Sequence, residues 1–268
     1  MKTILTIIKG MILGIANVIP GVSGGTMAVV LGLYDKLISS VNNIFKDFKN
    51  NFKFLLQIGV GVGLGVILFS NLISFLLGSY PRQTNFLFIG LILGTCPLLY
   101  KKASEKKVKP INYLWFVISF GILILMSIFK DIETTSNIIR NVTFSSAIPL
   151  ILSGFVAAMA MVLPGISGSF VLLLLGLYNS LVTAVKEFNL PILLVVTIGV
   201  VLGFLTMTKV VETLFKKYPQ TAYWIILGLV LGSVFAIYPG FSFDISGIIS
   251  IVTLIIGFFI ASFIGKQE

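Results

Sequence analysis

The chain has 268 residues, 57% of them hydrophobic and only 10% charged, where a soluble domain carries roughly 25% charged residues. A mean hydropathy of +1.09 marks an integral membrane protein. With no histidine, a single cysteine (Cys96) and two arginines (Arg82 and Arg140), disulfide frameworks, histidine metal sites and Ser-His-Asp catalysis are excluded.

The first apolar run covers 4–19. It follows Lys2, is interrupted by Lys9 and has no small-residue cleavage site after it, so it reads as part of the mature protein. It stops at Pro20-Gly21-Val22-Ser23-Gly24-Gly25, and a shorter run, 25–39, follows. As one helix that piece would reach only about 22 Å, less than a ~30 Å hydrocarbon core. Three ordinary spans are predicted next, at 54–77, 84–100 and 111–129. The pattern then begins again with 146–163, the element Pro164-Gly165-Ile166-Ser167-Gly168-Ser169 and the run 169–185. Spans at 191–213, 222–238 and 247–265 complete the chain.

This recurrence is an internal repeat. Between 20–37 and 164–181, nine of eighteen positions are identical, including Leu31-Gly32-Leu33-Tyr34 against Leu175-Gly176-Leu177-Tyr178. At an offset of 138, Tyr80-Pro81 matches Tyr218-Pro219, Gly90-Leu91 matches Gly228-Leu229, Leu93-Gly94 matches Leu231-Gly232, and Tyr100 matches Tyr238. Chance likeness between apolar helices rarely keeps Pro, Gly and Tyr in register, and repeats in transporters locate the binding site.

The net charge of +10 does not point to nucleic acid, because the lysines lie between apolar runs rather than on a basic face interleaved with aromatics. If each Pro-Gly element folds as a hairpin that enters and leaves on one side, fifteen basic residues fall on the side of the N-terminus. Four remain opposite: Arg82, Lys130, Arg140 and Lys186. The positive-inside rule then makes both termini cytoplasmic. Treating each element as one broken span would move the loops 42–53 and 101–109 outside with eight lysines. Each half thus has three spans and one hairpin, and an odd number inverts one half relative to the other. The expected fold is an all-α integral membrane protein with six transmembrane helices plus two re-entrant helical hairpins. These form two inverted-topology repeats, 1–140 and 141–268.

Unpaired backbone at membrane depth must be buried in protein or line a wet cavity. Pro20 and Pro164 end the preceding helices, and the glycines allow tight turns and close approach. Ser23-Gly24-Gly25-Thr26 and Ser167-Gly168-Ser169 then present N–H groups and hydroxyls at the start of a half-helix, an arrangement suited to a phosphate or carboxylate. Close helix packing through small residues is the alternative use of such elements, and their duplication favours the anion site. Arg82, beside Tyr80-Pro81 at the outer end of a span, is either an attractor for an outer-leaflet phosphate or an interfacial anchor. Lys209 and Glu212 share a helix face and read as a snorkelling pair.

The segment Gly10-x-x-x-Gly14-x-Ala16-Asn17-Val18-Ile19-Pro20-Gly21-Val22-Ser23-Gly24-Gly25-Thr26, with Gly32-x-Tyr34 after it, resembles the polyprenyl-phosphate transporter family. The second motif, 164–178, resembles that family's second copy, and the likeness covers essentially the whole chain. It implies a flippase of the bacterial cell membrane that returns undecaprenyl phosphate from the outer to the cytoplasmic leaflet for wall synthesis, with membrane lipids as its surroundings and no cofactor. Carried over as substrate-binding are Asn17, Pro20, Gly21, Ser23, Gly24, Gly25 and Thr26, and Pro164, Gly165, Ser167, Gly168 and Ser169. The copies differ: Met161 replaces Asn17 and Phe170 replaces Thr26, so a lopsided site is expected. The alternatives are a channel or secondary transporter for a small soluble anion and, less compatible with the missing histidine and carboxylate cluster, a lipid phosphatase.

Overall fold

The computed structural model describes residues 2–17, 23–128 and 138–265, which are helical throughout with no strand among them. In chain order the helices are α1 (Lys2–Asn17), α2 (Gly24–Val30), α3 (Tyr34–Asn42), α4 (Phe48–Ser79), α5 (Pro81–Ala103), α6 (Pro110–Ile128), α7 (Phe144–Val162), α8 (Gly168–Leu174), α9 (Tyr178–Lys186), α10 (Leu190–Lys217), α11 (Pro219–Ile237) and α12 (Ile245–Gly265). Seven of them, α4 to α7 and α10 to α12, are long and apolar enough to cross a membrane.

Six of those seven are the predicted spans, with ends set by local chemistry. α4 starts earlier than its apolar run because the Asp47 carboxylate accepts from the Asn50 N–H, satisfying a donor that the first turn leaves free. α4 and α10 stop the same way: Tyr80 and Tyr218 leave helical geometry at nearly identical angles, and the prolines after them open α5 and α11. Proline is tolerated there because a first-turn N–H has no partner to lose. The seventh, α7, was expected only as a hairpin arm. Thr143 caps it, and its nineteen residues reach about 28 Å at ~1.5 Å each.

The spans pair through glycines, where backbones touch. A Cβ on Gly10 would meet the Ile58 carbonyl, and one on Gly14 the Val62 carbonyl. Positions therefore rise together in α1 and α4, and the two helices run parallel. The same register links α7 to α10 (Ile151 with Gly199, Phe155 with Gly203), α5 to α12 (Gly90 with Leu254, Gly94 with Phe258) and α6 to α11 (Phe116 with Gly228, Phe120 with Gly232). Without a hydrophobic force between helices in lipid, such close van der Waals contact is the main source of association.

Because α1 and α4 are parallel, the segment between them brings the chain back to the end where α1 began. The second hairpin closes the same way. The Ile139 N–H donates to Ser180 Oγ (3.0 Å) and Asn189 Nδ2 donates to the Arg140 carbonyl (2.7 Å), so the start of α7 and the end of α9 lie together. The returning arms are not the single helices expected at 25–39 and 169–185. Each breaks after seven residues at Gly32 or Gly176, both with positive φ, and α8 meets α9 at a bend of 116°. At each break the N–H three places past the helix bonds five residues back (Leu33 to Ala28, Leu177 to Leu172) and the glycine N–H bonds to Val29 or Leu173. This glycine-capped ending needs a residue free to adopt left-handed geometry.

Candidate functional site

A cavity of about 770 Å³ lies where the start of α2 meets the segment between α7 and α8. The contact is direct: a Cβ on Gly25 would come within 3.1 Å of the Leu163 carbonyl and 3.2 Å of Pro164 Cα. Ser23, Gly24 and Gly25 from the start of α2, Ser167, Gly168 and Ser169 from the start of α8, and Asn17 from the end of α1 all line it. The space follows α10 from Val196 to Thr208, about 18 Å of helix at ~1.5 Å per residue. None of its described lining residues is charged.

The polar inventory is therefore hydroxyls, one amide and backbone. Ser23 is buried, and its hydroxyl finds no hydrogen-bond partner among the described residues. Ser167 and Ser169 place their hydroxyls 2.7 Å apart. Asn17 Nδ2 donates to the Leu13 carbonyl, and its Oδ1 lies over Gly24, where a Cβ would approach to 2.6 Å. Met161 covers Gly168 in the same manner, with Cγ at 2.5 Å from a Cβ built there. The twin positions thus occupy twin places, one polar and one apolar. α2 and α8 have only seven residues each, so the anion-favouring potential expected of a half-helix rests on individual N–H groups and hydroxyls more than on an extended dipole.

Not every expected site residue reaches this cavity. Thr26 and Pro164 are fully buried behind it, and the Thr26 hydroxyl has no partner among the described residues. Gly165 faces a second cleft, which it shares with Ser167 and Ser169. Pro20 and Gly21 lie outside the described residues. Arg82 stands in the first turn of α5 and does not line the cavity. It lies close enough to Asp244 to act, after the Ser242 hydroxyl and the Gly247 N–H, in holding that carboxyl below the usual aspartate value. Lys9, which interrupts the first apolar run, donates from within α1 to the Leu31 carbonyl at 2.8 Å, just past the end of α2.

The two hairpins carry the same motif and are packed differently. In α2, Thr26, Met27, Ala28, Val29 and Val30 are buried, whereas in α8 only Gly168 is. Leu31 is 1% exposed and its twin Leu175 48%; Tyr34 is 5% exposed and Tyr178 38%. Sequence reasoning missed what closes one end of the cavity. Asn42 Nδ2 donates to the Thr208 carbonyl (2.7 Å), Thr208 Oγ1 donates to Asn42 Oδ1 (3.0 Å), and Asn43 Nδ2 donates to Glu212 Oε1 (3.0 Å). Lys216 at 2.6 Å and Lys209 at 3.6 Å complete the surroundings of Glu212, whose side chain is nearly buried. The visible signal was an Asn-Asn pair directly after the amphipathic run 34–41.

A family model described as undecaprenyl phosphate translocase-like matches residues 13–250. A polyprenyl-phosphate transporter of Staphylococcus aureus is 35% identical over 98% of this chain and 96% of that protein. A polyprenyl-phosphate transporter of Vibrio cholerae is 33% identical over 89% of this chain and 79% of its own length. No solved structure matches the chain.

Proposed function

Because the chain belongs to the undecaprenyl phosphate translocase-like family, we propose that it is a flippase that moves undecaprenyl phosphate from the outer to the cytoplasmic leaflet of the bacterial cell membrane, returning the carrier for wall synthesis. The observation that carries this reading is the meeting of the starts of α2 and α8 in one cavity whose described lining residues carry no charge. Ser23, Ser167 and Ser169 and the free N–H groups at the starts of α2 and α8 hold the phosphate head, while the tail stays in apolar surroundings. A bare phosphate in an apolar space would carry a prohibitive desolvation cost. The cavity has room for on the order of 25 waters at ~30 Å³ each, so the head travels partly hydrated. Hydroxyls and N–H groups without a fixed cation bind an anion weakly enough to release it.

Alternating access between two inverted halves, 1–140 and 141–268, moves the head across. α11, the counterpart of α5, runs against it, since Tyr100 near the end of α5 meets Trp224 near the start of α11 and Phe86 near the start of α5 meets Tyr238 just past α11, which supports inversion. The end of the bundle that gathers α3, the start of α4 and the lysine-rich loops is cytoplasmic by the charge rule, along with both termini. The Asn42–Thr208 seam then closes the cytoplasmic side, and the exposed α8–α9 arm leaves the outer side open.

The test is transport by purified protein in liposomes. Scrambling of polyprenyl phosphate is expected, without flux of inorganic phosphate, and should fall at least about tenfold when Ser23→Leu and Ser167→Leu are combined. A folded double variant that transports at the parent rate, or flux of free phosphate without lipid movement, overturns the reading.

A further inference from the structure

A second space, about 320 Å³, lies on the other side of α8 from the main cavity. Its walls are Leu123, Met126 and Ser127 of α6, Phe170 and Leu173 of α8, and Ala236 of α11. It shares Ser167, Ser169 and Tyr178 with the main cavity, so the hydroxyl pair at the start of α8 forms a common edge between the two spaces, and apart from Ser127 every polar side chain of the second space lies on that edge.

The repeat shows that this space is a departure from the first half. The cleft residues Ser167, Phe170, Leu173 and Tyr178 correspond to Ser23, Thr26, Val29 and Tyr34, and all four of those are buried. α2 packs against α5, while α8 makes no comparable packing with α11. Protein fills the groove in one half and leaves it open in the other, where Phe170 and Leu173 present more apolar surface than Thr26 and Val29. A concave apolar space with a few convergent hydroxyls is the ordinary form of a ligand site.

Resting on the transport reading above, we propose that this cleft seats the first isoprene units of the cargo's chain while the phosphate sits across Ser167 and Ser169 in the main cavity. The occupant is polar at one end and apolar along its body, because the cleft's polar side chains, Ser127 aside, are confined to that shared edge and the rest of its wall is apolar. The cleft is therefore a chain-recognition subsite: it selects prenyl phosphates by chain as well as by head.

The experiment measures binding to the full chain in detergent with four probes: geranylgeranyl phosphate, methyl phosphate, which has the head without any isoprene unit, neutral geranylgeraniol and dioleoyl phosphatidic acid. The parent protein should bind geranylgeranyl phosphate at least about tenfold more tightly than methyl phosphate, with phosphatidic acid competing poorly. Met126→Trp and, independently, Ser127→Phe fill the cleft from α6 without touching the main cavity, so either should erase the preference for the prenyl chain and leave methyl phosphate binding unchanged. The subsite is overturned if a folded variant keeps the preference, if both phosphates weaken equally, or if phosphatidic acid competes as well as the prenyl phosphate. Geranylgeraniol separates the two ideas. Its binding to the parent and loss in the variants, with no phosphate effect, would sink the transport reading and keep the cleft; phosphate-dependent binding indifferent to the variants would do the reverse.

Discussion

The Tyr34 hydroxyl donates a hydrogen bond of 2.9 Å to the carbonyl of Val162, joining the first hairpin to the last residue of α7, two places before the second Pro-Gly break. The donor is buried, and the acceptor is one of the carbonyls that a helix end leaves without an intrahelical partner. Tyr34→Phe strands that carbonyl at a cost of about 1–3 kcal/mol. The thermal unfolding midpoint of the purified protein should drop, while Tyr178→Phe at the exposed twin changes it little. Equal shifts would refute the asymmetry of the hairpins.

Gly25 sets the distance between the start of α2 and the second Pro-Gly break. A methyl group there is tight against Leu163 and Pro164, and Gly25→Val must push the two elements apart. Transport should fall more than about tenfold with the protein still folded, whereas Ser169→Val at the exposed twin position should be milder. Gly165 has a φ of +84°, and a Cβ on it would lie 2.7 Å from the Leu229 carbonyl. Gly165→Ala adds left-handed strain of about 1–2 kcal/mol to that clash, and its yield of folded protein should be reduced.

The Asn42–Thr208 pair holds α3 against α10 through two hydrogen bonds. Asn42→Ala removes both and loosens that end of the cavity. In a Cys96→Ala background, a cysteine at Ile38, which lines the cavity, should react faster with a membrane-impermeant thiol reagent added from the lysine-rich side. An unchanged rate would mean that the seam does not gate access.

Asp244 lies in the connection ahead of α12 and accepts from the Ser242 hydroxyl (2.6 Å) and the Gly247 N–H (2.9 Å). These bonds, with Arg82 nearby, hold its carboxyl below the ordinary value of 3.8. A depressed folded-state value stabilises the folded protein above the ordinary value and stops doing so as pH falls through the lowered one. The stability gap between parent and Asp244→Asn should therefore be constant near neutral pH and close only in strong acid. A gap that closes between pH 5 and 7 would contradict this.

Much of the architecture was legible because membrane burial writes itself as uninterrupted hydrophobicity. Each of the six predicted spans recurs as a helix, and Tyr80-Pro81 and Tyr218-Pro219 mark the same junction in both halves. The Leu-Gly-Leu-Tyr repeat was read as identity and not as a bend, since a left-handed glycine cap looks like any other glycine until φ is known. Arg82, expected at the end of a span beside Tyr80-Pro81, stands in the first turn of α5, but its neighbour Asp244, far along the chain, was not legible in the sequence.

Composition and periodicity alone thus determined an all-helical membrane protein with a duplicated, cation-free motif, because these are local properties of the chain. Only tertiary structure decided that Ser23 and Ser167 share one cavity, that Thr26 and Pro164 lie behind it, and that the groove filled beside α2 stands open beside α8. Each of those depends on which helix packs against which, and in lipid that is governed by close van der Waals fit between distant segments, which no single stretch of sequence records.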